Sequence, residues 1–213
     1  MNSIVFNEDC MTVMSRYVDK YFDIAIVDPP YGIDKKIQYH QTGTAKNRLY
    51  SKNRWDKTKP DELYWKELLR VSKNQIVFGG NYFTEFLPAS RGWYVWHKLH
   101  ESNLKYSHVE LIWTSFDVST KIKQMYPDSI MTLEKSIHPT QKPIGIYKWL
   151  LNNFAKDGYK IIDTHLGSGS SRIACSEMNI DFIGCEINKE YFNQSQERYI
   201  KYKQQKTIMF DIK

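Results

Sequence analysis

Asp23-Ile24-Ala25-Ile26-Val27-Asp28-Pro29-Pro30-Tyr31-Gly32 is the stretch from which the fold can be read. After Asp23, residues 24–27 are apolar and mostly β-branched, so that 23–27 has the pattern of a buried strand. Pro29 and Pro30 stop it, because proline has no N–H to give a ladder, and Gly32 permits a sharp turn. One strand end therefore gathers a carboxylate, rigid backbone carbonyls and an aromatic ring. Asp28 and the Pro29 carbonyl can accept both N–H bonds of an exocyclic amine, and Tyr31 can stack on the ring bearing it. The plainer alternative is a strand ending in a Pro-Gly loop, with Asp28 as a cap and Tyr31 on the surface.

A chain of 213 residues, 41% of them hydrophobic, is expected to be one domain with its own core. Its apolar runs are too short to span a bilayer. Residues 1–6 lack the basic-then-apolar pattern of a signal peptide. Cys10, Cys175 and Cys185 form no C-x-x-C pair and read as reduced packing residues of a cytoplasmic protein, with no metal site. A net charge of +6 favours a polyanionic partner, nucleic acid being the commonest. An aromatic share of 15% suits packing against unstacked bases.

Outward from the opening stretch, strands are expected at 3–6, 75–79, 93–96, 109–113, 160–163 and 181–185, making seven with 23–27. Helices are expected at 11–17, from Asp61, at 144–154, at 170–178 and from Asn188, the last with Tyr191, Phe192, Tyr199 and Ile200 inward and Lys and Arg outward. Between strands lies a long polar loop, 33–60, carrying Lys35, Lys36, Lys46, Arg48, Lys52 and Arg54 among tyrosines and amides. Such side chains suit phosphates and base edges; the alternative is a merely solvated loop. Residues 117–137 read as a short polar insertion.

A second constellation is Asp163-Thr164-His165-Leu166-Gly167-Ser168-Gly169-Ser170, between a strand and a helix. Glycines there let the backbone approach a ligand, and the helix start offers free N–H groups. Glu186 ends the next strand, where an acid receives ribose hydroxyls. This reads as an adenosine-binding half, or else as a structural turn and a surface acid. A nicotinamide fingerprint would need a third glycine where Arg172 stands, and a P-loop lysine is missing. S-adenosylmethionine fits better, since it carries ribose and adenine but no phosphate.

These motifs resemble those of the amino-group (N6-adenine/N4-cytosine) DNA methyltransferases. Asp28-Pro29-Pro30-Tyr31 is similar to the family's Asp-Pro-Pro-Tyr catalytic motif, and residues 163–170 to its D-P-F-x-G-S-G-T cofactor motif. His138-Pro139-Thr140-Gln141-Lys142-Pro143 resembles its H-P-T-x-K-P segment. The order, catalytic motif first and cofactor motif late, is that of the β subgroup. The resemblance implies a single α/β methyltransferase domain over 1–213: a doubly wound, seven-stranded, mostly parallel Rossmann-like sheet with one antiparallel strand. The strand ending at Asp163 would then lie beside that ending at Val27. It implies methyl transfer from S-adenosylmethionine to adenine N6 in double-stranded DNA with the target base flipped out, in a restriction–modification setting. Asp28, Pro29, Pro30 and Tyr31 would be catalytic. Asp9, His138, Lys142, Asp163, His165, Gly167, Ser168, Gly169, Ser170 and Glu186 would bind cofactor, Asp9 at the adenine. Thr164 and His165 depart from the family's Pro and Phe. Lys142 is expected at the cofactor carboxylate or a phosphate, or else in solvent. Cytosine-N4 or RNA methylation, and a non-catalytic DNA-binding relative, remain alternatives. A homodimer and a partner endonuclease are left open.

Overall fold

The computed structural model describes residues 1–33, 58–99, 107–126, 136–138 and 140–211, with side chains to 205. Lys35, Lys36, Lys46, Arg48, Lys52 and Arg54 of the basic loop lie outside the described residues, as do 127–135 of the expected insertion.

In chain order the elements are β1 (Ser3–Phe6), α1 (Cys10–Met14), β2 (Phe22–Val27), α2 (Glu62–Val71), β3 (Ser72–Phe78), a 3₁₀ turn (Gly80–Tyr82), β4 (Trp93–His97), β5 (Val109–Thr114) and β6 (Lys121–Gln124). Then come α3 (Ile144–Phe154), β7 (Lys160–Asp163), α4 (Ser170–Glu177), β8 (Asp181–Cys185) and α5 (Lys189–Asp211). The eight described strands form one sheet of order β1-β8-β7-β2-β3-β5-β4-β6. Among the described strands, only β5 runs antiparallel to both its neighbours.

β2 is central and parallel to both neighbours, so both its faces must be covered. Ile24 and Ile26 meet α3 and α4 through Ile146, Leu150 and Ala174 on one side. Ala25 and Val27 meet α2 through Tyr64, Trp65 and Leu68 on the other. That two-sided burial explains the uninterrupted apolar run in the sequence.

β2 and β7 pair in parallel, Ile24 opposite Ile161 and Ala25 opposite Ile162. From this pair the chain winds outward through β8 and β1 on one side and through β3 on the other. That divergence is a topological switch point, where an open α/β sheet leaves a crevice beyond its strand ends.

Two expectations need correction. The sheet has eight strands, not seven: β6 lies inside the supposed insertion, pairing with β4 from Tyr94–Lys121 to His97–Gln124. It is an edge strand whose one large apolar residue, Ile122, is 64% exposed, so it carries no burial pattern. On α5, Ile200 is exposed while Arg198 is buried, turning inward on the same stripe as Tyr191 and Ser195. Its guanidinium donates to the Ser168 carbonyl (3.1 Å) and the Ser170 hydroxyl (2.8 Å), which gives the buried cation two acceptors.

Candidate active site

Asp28 follows β2 and Thr164 follows β7, so strand pairing brings together two motifs far apart in the chain. A cavity of about 620 Å³ opens where they meet. Asp28, Pro30, His138 and Lys142 line one part of it, and His165, Gly167, Ser168 and Glu186 another.

The glycine turn is held from behind. Asp163, buried, accepts from the His165 N–H (3.0 Å) and the Ser171 hydroxyl (2.5 Å). Burial outweighs those bonds and pushes its carboxyl up to about 7. Gly167 (φ +49°) and Gly169 (φ +75°) occupy left-handed backbone, which only glycine adopts without cost. Glu186 bridges the turn to the next helix, accepting from the Gly167 N–H (2.9 Å) and the Asn188 N–H (2.9 Å). The next residue, Ile187, also lines the cavity and is 71% exposed, an apolar surface left bare at its rim. Ser168 and Ser170 turn their hydroxyls towards each other and towards Arg198. Asp163, Gly169 and Ser170 stand behind the lining rather than in it. Asp9 caps α1 through the Met11 and Thr12 N–H groups and is not part of the lining.

At the other motif the side chains form one charged network. Lys142 Nζ lies 2.6 Å from Asp28 Oδ2 and 2.9 Å from Glu110 Oε1, and Lys98 Nζ lies 2.9 Å from Glu110 Oε2. The Tyr31 hydroxyl reaches Asp28 Oδ1 (2.7 Å) and Glu110 Oε1 (2.9 Å). The Tyr31 ring stacks on Tyr82 at 4.8 Å and 14°. Lys142 also sits over the Phe78 ring. Burial pushes the Glu110 carboxyl up, but Lys142 and Lys98 together outweigh it and bring it to about 2. Asp28 has only a shared lysine, so for it burial, reinforced by Glu110, wins and the carboxyl is raised. Lys142 is therefore not solvated: it lines the cavity with its ammonium shared between two carboxylates.

Glu110, Lys98 and Tyr82 were not singled out in the sequence. The one available signal was a carboxylate inside the apolar strand Val109-Glu110-Leu111-Ile112-Trp113, which demands a partner. His138 packs edge-on against Tyr191 (4.5 Å) beside Gly167, and burial, with Lys142 adding, pushes its imidazole down to about 3.

A family profile described as DNA methylase, covering the N6 and N4 enzymes, matches residues 87–197. The chain belongs to this family. It is 22% identical to the type II methyltransferase M2.MboI of Moraxella bovis, over 93% of this chain and 88% of that protein. It is 38% identical to the type II methyltransferase M.HpaI of Haemophilus parainfluenzae, a match spanning 29% of this chain and only 19% of that one. Among solved structures, the M1.HpyAVI–SAM complex has a TM-score of 0.60 at 18% identity, covering 93% of this chain and all of that one (100%). The cytosine-N4-specific PvuII DNA methyltransferase has a TM-score of 0.63 at 9% identity, over 95% and 91%. The structural likenesses show the Rossmann-like methyltransferase fold. In this DNA methylase the two motifs, at Asp28 and at Gly167, line a single cavity.

Proposed function

We propose that the chain transfers a methyl group from S-adenosylmethionine to the N6 amine of adenine in DNA. The observation that carries this reading is that Asp28 and the Gly167–Glu186 bridge line one cavity of about 620 Å³. That volume suits a nucleoside joined to an amino acid. The Glu186 carboxylate favours hydroxyl groups over phosphate. Glu186, Gly167 and the apolar Ile187 would hold the cofactor's nucleoside part. When bound, the cofactor supplies a methyl group on a sulfonium, already an activated electrophile.

What the chain must add is the nucleophile. An aromatic amine is poor because its lone pair is delocalised into the ring. Asp28 and the Pro29 carbonyl, accepting its two N–H bonds, favour a tetrahedral nitrogen and localise that pair. Rigid prolines keep both acceptors in place, so the rate rests on positioning and electrostatics. The target base must leave the duplex to reach them. The net charge of +6 favours the DNA backbone. Adenine is preferred over cytosine because cytosine-N4 members of the family more often have Ser where this chain has Asp28.

The test is methyl transfer to DNA followed by nucleoside mass spectrometry. N6-methyladenine is expected, and Asp28→Ala should abolish it while cofactor binding by calorimetry stays largely intact. N4-methylcytosine as the product would transfer the reading to the other base. A full-rate Asp28→Ala enzyme would refute the role given to the carboxylate.

A further inference from the structure

A buried hydrogen-bond chain runs behind the glycine turn and ends at the cavity. Tyr64 Oη, on α2, lies 2.7 Å from Thr164 Oγ1, and Thr164 Oγ1 lies 2.9 Å from His165 Nδ1. Tyr64 and Thr164 are each 3% exposed, and neither hydroxyl has another partner among the described residues. The direction of the chain follows from counting protons. Each hydroxyl has one to give. If Nδ1 carried the ring proton it would donate to Thr164, and then either the Thr164 or the Tyr64 proton would be buried without an acceptor. Only the order Tyr64 to Thr164 to Nδ1 uses both. Nδ1 is thus an acceptor, and the neutral ring carries its proton on Nε2. Burial keeps the ring neutral, pushing its pKa down to about 4. Tyr64 also packs edge-on against the imidazole at 5.4 Å and 70°, fixing its plane. His165 lines the cavity, and its Nε2–H meets no acceptor among the described residues.

We propose that His165 is a neutral hydrogen-bond donor for the carboxylate at the amino-acid end of the cofactor, with Tyr64 and Thr164 as positioning residues that set its tautomer. The inference rests on the cofactor reading above. Of the groups at that end, the ammonium has no lone pair and the sulfonium's sits on a cationic sulfur that repels a donor, whereas the carboxylate is a strong acceptor. The charged side chains of the lining nearly balance, Asp28, Glu186 and Glu190 against Lys142 and Lys189, and Lys142 is already shared between Asp28 and Glu110. A donor of fixed direction with no charge of its own to desolvate suits such a place. The family's Phe at this position offers an apolar ring instead, so the donor is a property of this chain.

The experiment uses the full chain. Ring-nitrogen NMR of free protein should show His165 with Nδ1 unprotonated and Nε2 protonated from pH 6 to 8, and Thr164→Val or Tyr64→Phe should disturb that pattern. Calorimetry with S-adenosylmethionine and 5′-methylthioadenosine, which lacks the amino-acid end, reads the contact. His165→Phe should weaken the first roughly 10- to 100-fold, the worth of a hydrogen bond to a charged group. It should leave the second nearly unchanged, and His165→Gln, which restores an N–H at similar reach, should recover much of the loss. An Nδ1–H tautomer, or equal weakening of both ligands by His165→Phe in a protein that melts normally, overturns the proposal alone. Failure of the unaltered chain to bind either ligand overturns the cofactor reading and this proposal with it.

Discussion

Lys142 Nζ lies 2.6 Å from Asp28 Oδ2 although 114 residues separate them in the chain. The lysine side chain is 6% exposed and that of Asp28 17%, so the pair has little solvent to fall back on. Removing one partner of a buried pair typically costs 3–5 kcal/mol, because the other is left charged and alone. Lys142→Met should therefore destabilise the fold by about that amount, read as a lower urea midpoint at unchanged slope. It should also slow methyl transfer, since Asp28 would lose the cation that holds it in place. An unaltered midpoint would show the pair to be incidental.

The Tyr31 hydroxyl has one proton and two acceptors, Asp28 at 2.7 Å and Glu110 at 2.9 Å. An incoming amine needs Asp28 Oδ1, so the hydroxyl must yield it, and Glu110 is the acceptor that lets it do so. Glu110→Leu should leave Tyr31 bound to Asp28 and reduce kcat roughly tenfold, the scale of one displaced hydrogen bond. Adding Tyr31→Phe in that background should recover part of the rate. The two substitutions are thus expected to be non-additive, as groups in one network are. Simple additivity in single-turnover rates would count against the exchange.

How far the site could be read in advance depends on where each residue's partner lies. The strands around Val27, Phe78 and Ile162 were legible because two-sided burial leaves an apolar run. β6 was not, since an exposed edge with Lys121 and Lys123 looks like any polar loop. The motifs at Asp28 and Gly167 could each be read locally, but their adjacency depends on strand order, which periodicity does not encode; it came from the family resemblance. Glu110 resisted for the same reason. Its meaning lies in Lys142 and Tyr31, neither of them near it in sequence. Arg198 looked like one more outward cation on α5, until the hydroxyls of the glycine turn supplied its partners.

Gly79 explains why Tyr31 can stand where it does. Its φ is +62°, and a Cβ there would lie 2.5 Å from the Tyr31 ring. Gly79→Ala thus combines left-handed strain with a clash, and should destabilise by roughly 1–3 kcal/mol. The ring must move off Tyr82 to relieve the contact, taking the hydroxyl from Asp28 and Glu110. Methyl transfer should fall more than cofactor binding does. Comparing calorimetric affinity with turnover checks this, and equal loss of both would point to global damage instead.

Asp163 gives the fold a pH dependence of known sign. Its carboxyl is raised from the ordinary 3.8 to about 7 by burial. Between those values the folded chain keeps a proton that the unfolded chain has lost, so this group's contribution to stability falls as pH rises from 4 to 7. His138 and His165 act oppositely, since burial lowers them to about 3 and about 4, so stability from these groups is lost as pH falls below 6.5. The total slope therefore hides the Asp163 term, and a difference measurement is needed. Asp163→Asn keeps an oxygen for the His165 N–H but has no charge to acquire. The stability of the parent relative to this variant should decline from pH 4 to pH 8 by an amount on the order of 4 kcal/mol. Urea unfolding at several pH values reads it directly. A difference that stays level across that range would mean that the turn holds Asp163 ionised throughout, with the Ser171 hydroxyl and the His165 N–H fully offsetting its burial.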